Sequence, residues 1–160
     1  MTSSNLLDNL RQLKQHADET SRQIAPWQQA IKSVFAEIRQ WLGPATAEGL
    51  LAIRDFGSYC DDDGVQYEVP GLTLALPDGR EIEIRPIGLV LGEGPSGRMG
   101  RIDIESGAVR SRLFWTSSGW KIARSSRDSA RAWDLTPLTQ ESFLELLNQF
   151  IVGSEDAGSD

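Results

Sequence analysis

The chain has 160 residues, 16 lysines and arginines against 23 aspartates and glutamates, and a formal charge of −7. A lone cysteine, Cys60, excludes an intramolecular disulfide and a multi-cysteine zinc site. The length suits one ordinary domain with its own core, and 39% apolar with 24% charged residues excludes global disorder and fibrous repeats. The opening MTSSNLLDNLRQLK lacks the basic start and apolar run of a secretory signal, and no apolar stretch is long enough to span a bilayer. The expectation is a soluble, cytoplasmic protein that does not enter a membrane.

Residues 3–42 carry the strongest pattern. Alternating steps of four and three from Leu6 pass through Leu10, Leu13, Ala17, Thr20, Ile24, Trp27, Ile31, Val34, Ile38 and Trp41. All but Thr20 are apolar, which is a sustained heptad stripe. Ser3 or Ser4 is a candidate cap, and Gly43-Pro44 a stop. Pro26 lies inside the segment. Either one helix kinks there, or a second helix begins at the proline. The heptad phase does not slip across Pro26, so one long kinked helix is expected. Its C-terminal half has a wide apolar face, with Phe35 and Leu42, suited to a globular core. Its N-terminal half has a narrow seam suited to a partner helix or its own copy.

Residues 45–54 read as a short helix, and from Phe56 the period changes to two. Strand candidates are 65–69, 72–76, 80–84, 87–91, 101–104, 112–115 and 120–123. The turns between them are too short for crossovers, so they predict an antiparallel meander. Trp115 and Trp120 flank a Ser-Ser-Gly turn and can pair across it. Residues 124–136 read as a polar loop. A helix over 140–151 follows, with Thr139 as N-cap and Leu138 and Phe143 as a hydrophobic staple. The fold class is α+β: a long N-terminal helix, an antiparallel meander of six or seven strands, and a C-terminal amphipathic helix packed on the sheet. The division is a heptad helix over 1–44, a sheet domain over 45–152, and a disordered acidic tail over 153–160.

Charge is segregated. Residues 55–97 carry nine acidic and two basic groups, and residues 98–131 eight basic and three acidic. The basic block (Arg98, Arg101, Arg110, Arg112, Lys121, Arg124, Arg127, Arg131) has tryptophans nearby, as a nucleic-acid reader would. Pairing with acidic groups from 61–83 across the sheet is the simpler expectation, and the net negative field opposes a phosphate backbone. No nucleic-acid partner is expected.

Motifs for chemistry are weak. Gly92-Glu93-Gly94-Pro95-Ser96-Gly97 matches a dinucleotide fingerprint in letters, but a strand-like segment follows where a helix is required. Asp61-Asp62-Asp63-Gly64 lacks calcium-loop spacing and reads as a hairpin turn that doubles as an acidic docking surface. His16 is off the seam and expected in water. Cys60 reads as a buried strand residue. Glu81 with Glu83, and Asp103 with Glu105, are read as solvated charges opposite arginines. Trp133 is either an exposed anchor or a side chain tucked into the core. No catalytic residue, metal site or cofactor is assigned.

These features point to a non-catalytic acidic protein-binding module. One expectation is an immunity- or inhibitor-type protein that occludes a basic toxin or enzyme through Asp61, Asp62, Asp63, Glu93 and Trp133. The alternative is a secretion-type chaperone or adaptor that binds a partner helix, or forms a homodimer, through Leu6, Leu10 and Leu13.

Overall fold

The computed structural model describes residues 2–91, 98–125 and 133–158. Among them a 40-residue helix, α1 (Thr2–Trp41), and a short α2 (Gly43–Ala47) precede seven strands. These are β1 (Ala52–Asp62), β2 (Val65–Ala75), β3 (Glu81–Leu91), β4 (Arg98–Ser106), β5 (Val109–Thr116), β6 (Gly119–Ser125) and β7 (Trp133–Pro137). The helix α3 (Gln140–Gly158) closes the chain order. The strands form one open antiparallel sheet in sequence order, β1 to β7. The α+β class and the meander are as expected.

α1 is continuous through Pro26. The proline sits on the solvent side, where water can take the carbonyl left without a donor. The helix already includes Ser3 and Ser4, so neither caps it. The short helix begins at Gly43, earlier than expected, with Pro44 in its first turn, and the chain is extended from Ala52.

The strand count agrees with the sequence reading, but its members differ. Two pairs of strand candidates fuse: β2 runs through Pro70-Gly71 and β3 through Pro86. Each proline lies where pairing is irregular. β2 pairs with β3 only over Leu72–Ala75, and the β3–β4 register shifts between Pro86 and Gly88. β1 is a full strand that the weakly patterned AIRDFGS stretch concealed, and β7 occupies ground read as loop. Both are edge strands, which bury one side less and so carry weak alternation. α3 continues past 151 to Gly158, so the segment from 153, expected as a disordered tail, is helical that far. Extending an existing helix adds a hydrogen bond per residue without a new nucleus, and no proline stops it.

One face of the sheet carries Leu72, Leu74, Ile82, Ile84, Ile102, Ile104, Leu113 and Ile122, all buried. Both long helices contribute to that core. α1 adds Ile24, Trp27, Ile31, Val34, Phe35, Ile38 and Leu42, and α3 adds Phe143, Leu146, Leu147 and Phe150. Thr139 caps α3, accepting from the Ser142 amide at 3.1 Å, as expected. Trp41 meets Phe143 at 5.7 Å between ring centroids.

Trp27 is fully buried. Its ring stacks on Trp115 at 5.9 Å and lies 5.8 Å from Trp120, and those two are direct cross-strand partners. The indole also fills the space over Gly100, where a Cβ would stand 2.1 Å from the ring. Gly100→Ala should therefore destabilise the fold by about 1–3 kcal/mol through overpacking. Gly57→Ala, with only Glu68 Oε1 at 3.5 Å, should change stability by less than about 0.5 kcal/mol. Urea unfolding midpoints of the two variants check the contrast.

Candidate protein-binding surface

The apolar stripe of α1 changes role at Thr20. From Ile24 onward it lies on the sheet; before that it projects beyond it. Leu6, Leu7, Leu10 and Leu13 are 58%, 51%, 49% and 65% exposed. Leu6, Leu10 and Leu13 thus stand where a partner could reach them, and Leu7, which the seam reading omitted, widens the same face. Leucine is a strong helix former, and Asp8 pairs with Arg11 at 3.2 Å on the opposite side.

The change of role has a local cause. The β1–β2 hairpin turns at Asp63-Gly64, both with positive φ (53° and 81°), the conformation of a two-residue hairpin turn. Asp61 closes it by accepting from the Gly64 amide at 3.0 Å. Asp63 turns toward α1. Its Oδ2 accepts from Thr20 Oγ1 at 3.0 Å and stands 3.2 Å from His16 Nε2. Thr20, the one polar residue in the stripe, is buried and marks where the sheet ends beneath the helix. Its polarity in an apolar series was the available signal. His16, expected in water, is partly exposed and anchored to the hairpin.

Asp62 is not part of an acidic docking surface. It is buried, and its carboxylate faces β3. Leu89 donates its amide to both Asp62 oxygens at 3.2 Å, and the Tyr67 hydroxyl donates to Oδ2. Two residues earlier on the same strand side, the Cys60 thiol donates to the Pro86 carbonyl at 3.6 Å. Side chains of β1 thus satisfy β3 backbone groups beyond the point where β2–β3 pairing stops. Gly88 makes room: at φ 143° it has no Cβ, which would stand 2.9 Å from Asp62 Oδ1. Parity explains the misreading, because in an alternating strand Asp62 shares a side with Cys60, while Asp61 points outward.

Burial is the largest cause that pushes the Cys60 thiol up to about 11, with the Asp62 charge adding and the Tyr67 hydrogen bond opposing. Burial and then the bond to Asp62 also raise the Tyr67 hydroxyl far above its ordinary value. Both groups are proton donors at neutral pH, and this cluster is a clasp between strands.

The sheet face opposite the helices is charged and self-paired. Arg101 grips Asp103 with two bonds, at 2.7 and 2.8 Å, which holds its guanidinium in the charged form. Arg112 approaches the same carboxylate at 3.8 Å. Arg110 meets Glu105 at 3.7 Å, Arg54 meets Glu81 at 2.8 Å, and Arg85 pairs with Glu83 while lying over the Phe56 ring. The basic strands are charge-paired, but the ion pairs of Arg101, Arg110 and Arg112 are with Asp103 and Glu105 of β4 and not, as expected, with acidic groups from residues 61–83, which instead meet Arg54 and Arg85. Arg98, Arg124, Arg127 and Arg131 have side chains outside the described residues, as does Glu93 entirely. Trp133 opens β7, and its side chain is likewise outside them.

Among the described residues no group of three His, Cys, Asp or Glu side chains could hold a metal ion. No helix among them is long and apolar enough to cross a membrane.

Two measurements check the clasp. Asp62→Ala leaves the Leu89 amide and Tyr67 hydroxyl buried without a partner and should cost on the order of 2–4 kcal/mol in chemical denaturation. Asp61→Ala, at the exposed tip, should cost under about 1 kcal/mol. The raised thiol of Cys60 stabilises the fold fully below its ordinary value of 9.0, and that contribution is lost as pH rises through about 11. A thiol reagent at pH 8 should therefore leave the native protein unmodified and label it on unfolding in denaturant.

No family model, curated protein or solved structure matches this chain.

Proposed function

We propose that this chain is a non-catalytic module that acts by protein association, with the projecting N-terminal arm of α1 as its recognition element. The observation that carries the reading is the exposure of Leu6, Leu7, Leu10 and Leu13 on one continuous helix whose later turns bury the same stripe. Four half-exposed leucines on a rigid helix form an apolar face of a kind that soluble monomers seldom leave open. The four-three spacing of Leu6, Leu10 and Leu13 suits the groove of another helix. This is the adaptor reading, and it sits ahead of the occluding inhibitor because Asp62 is withdrawn into the strand clasp.

The inhibitor reading keeps one favouring observation: Asp61 is exposed at the hairpin tip, beside the base of the arm, in a chain of charge −7. A basic partner held there would bind with an on-rate that falls as salt rises.

The test pairs wild type with Leu10→Asp/Leu13→Asp. Neither leucine belongs to the core, so the unfolding free energy of the variant, read from urea titration, should stay within about 1 kcal/mol of the wild type. Association, read by light scattering and by capture of a stoichiometric partner, should be lost. Association unchanged in the folded variant, but lost in Asp61→Ala or at high salt, would move the binding surface from the arm to the hairpin.

A further inference from the structure

We propose that the occupant of the arm is a second copy of the same arm, in an antiparallel two-fold helix pair. This rests on the reading that the arm is the recognition element, and it names the partner.

The direction follows from what the stripe does after Ala17. A parallel partner would follow the seam onward to Thr20, Ile24 and Trp27, and those side chains are already buried on their own sheet. Both sheets would compete for one volume on the same side of the seam. An antiparallel partner uses only the segment that projects, and it sends the two sheet domains to opposite ends. The usable seam, Leu6 to Ala17, is about 16 Å long, and the helix of the second copy runs out where the hairpin begins, at Thr20 and Asp63.

The seam is complementary to itself in that direction. Setting Leu10 against Leu13 of the second copy also sets Leu13 against its Leu10, Leu6 against its Ala17, and Ala17 against its Leu6. Large side chains then meet small ones at the ends, and two leucine layers fill the centre. The flanks raise no like-charge contact: Leu7 and Asn9 lie opposite Lys14 and His16 of the second copy, with the Lys14 stem covering Leu7. Asp8, Arg11, Asp18 and Glu19 remain on the outer surface, and Asp8 and Arg11 already pair within one copy.

Covering the leucines and their flanks in both copies removes on the order of 1,000 Å² from water, the lower bound for a specific interface. An interface of that size is at the weak end of specific ones, so the dimer is concentration-dependent.

Sedimentation equilibrium of the full chain across the micromolar range should show reversible dimerisation in the wild type. Leu10→Asp/Leu13→Asp should weaken it on the order of a hundredfold or more while leaving the circular dichroism spectrum and urea midpoint in place. Direction is read with single cysteines, since the native Cys60 is buried. A mixture of Leu6→Cys and Ala17→Cys proteins should oxidise to a mixed disulfide, and neither should crosslink efficiently to itself. Efficient self-crosslinking of Leu6→Cys would overturn the antiparallel register. A wild type that stays monomeric at a hundred micromolar would overturn the homodimer. If that monomer still captures a partner that Leu10→Asp/Leu13→Asp loses, the arm stands as the recognition element and only its occupant changes. If the arm variant changes neither association, both readings fall.

Discussion

One indole ring decides how the two layers meet. Trp27 lies where α1 crosses β4, β5 and β6, and it fits because Gly100 leaves a side-chain-sized space beneath it. Trp115 and Trp120 close that space from the sides as a cross-strand pair. Three large rings in contact fix both the rotation of the helix and its height along the sheet, because close-packed interiors allow little sliding. Every later position follows: Ile31, Val34 and Ile38 are carried over the sheet, and Trp41 is brought to Phe143 on α3. In the other direction the same anchoring carries Leu13 and Leu10 past the sheet edge.

The hairpin of β1 and β2 is the second constraint. β2 leaves β3 beyond Leu72, and an opened sheet exposes backbone groups that must find partners. Cys60 and Asp62 take that role for Pro86 and Leu89, with Tyr67 holding the carboxylate and Gly88 yielding the space. The next acidic residue, Asp63, engages Thr20 and His16. Adjacent aspartates therefore do unlike work: Asp61 closes the turn, Asp62 bridges strands, and Asp63 meets the helix. Alternation separates Asp61 from Asp62, which point to opposite faces, while Asp63 lies past the end of β1, in the turn, where its positive φ sends it to α1.

The charged sheet face shows why net charge is a poor guide to a surface. The chain is acidic overall and has a strongly basic segment, yet Arg101, Arg110 and Arg112 are matched by Asp103 and Glu105 from their own or the adjoining strand. Glu83 and Glu105 stand opposite one another in register, and Arg85 and Arg110 offset that contact. Such pairing leaves little uncompensated positive field from Arg101, Arg110 and Arg112 on that face.

Sequence periodicity by itself determined the long helix, its continuity through Pro26, the meander and the capped α3, because each is a local pattern repeated many times. It also fixed Trp27 as core, Trp115 with Trp120 as a pair, and Cys60 as a buried strand residue. It could not separate Asp62 from Asp61, fuse strands across Pro70 and Pro86, or find β1 and β7, because those depend on which backbone groups lack a partner in the folded sheet. The narrowing of the stripe toward the N-terminus already marked Leu6, Leu10 and Leu13 as the half left for a partner, but not the point at which the burial of Ile24 and Ile31 begins. A heptad pattern records only that a side chain is apolar and on one face. Where the sheet stops beneath that face is set by the hairpin at Asp63-Gly64 and the packing of Trp27, and those contacts exist only between segments distant in the chain.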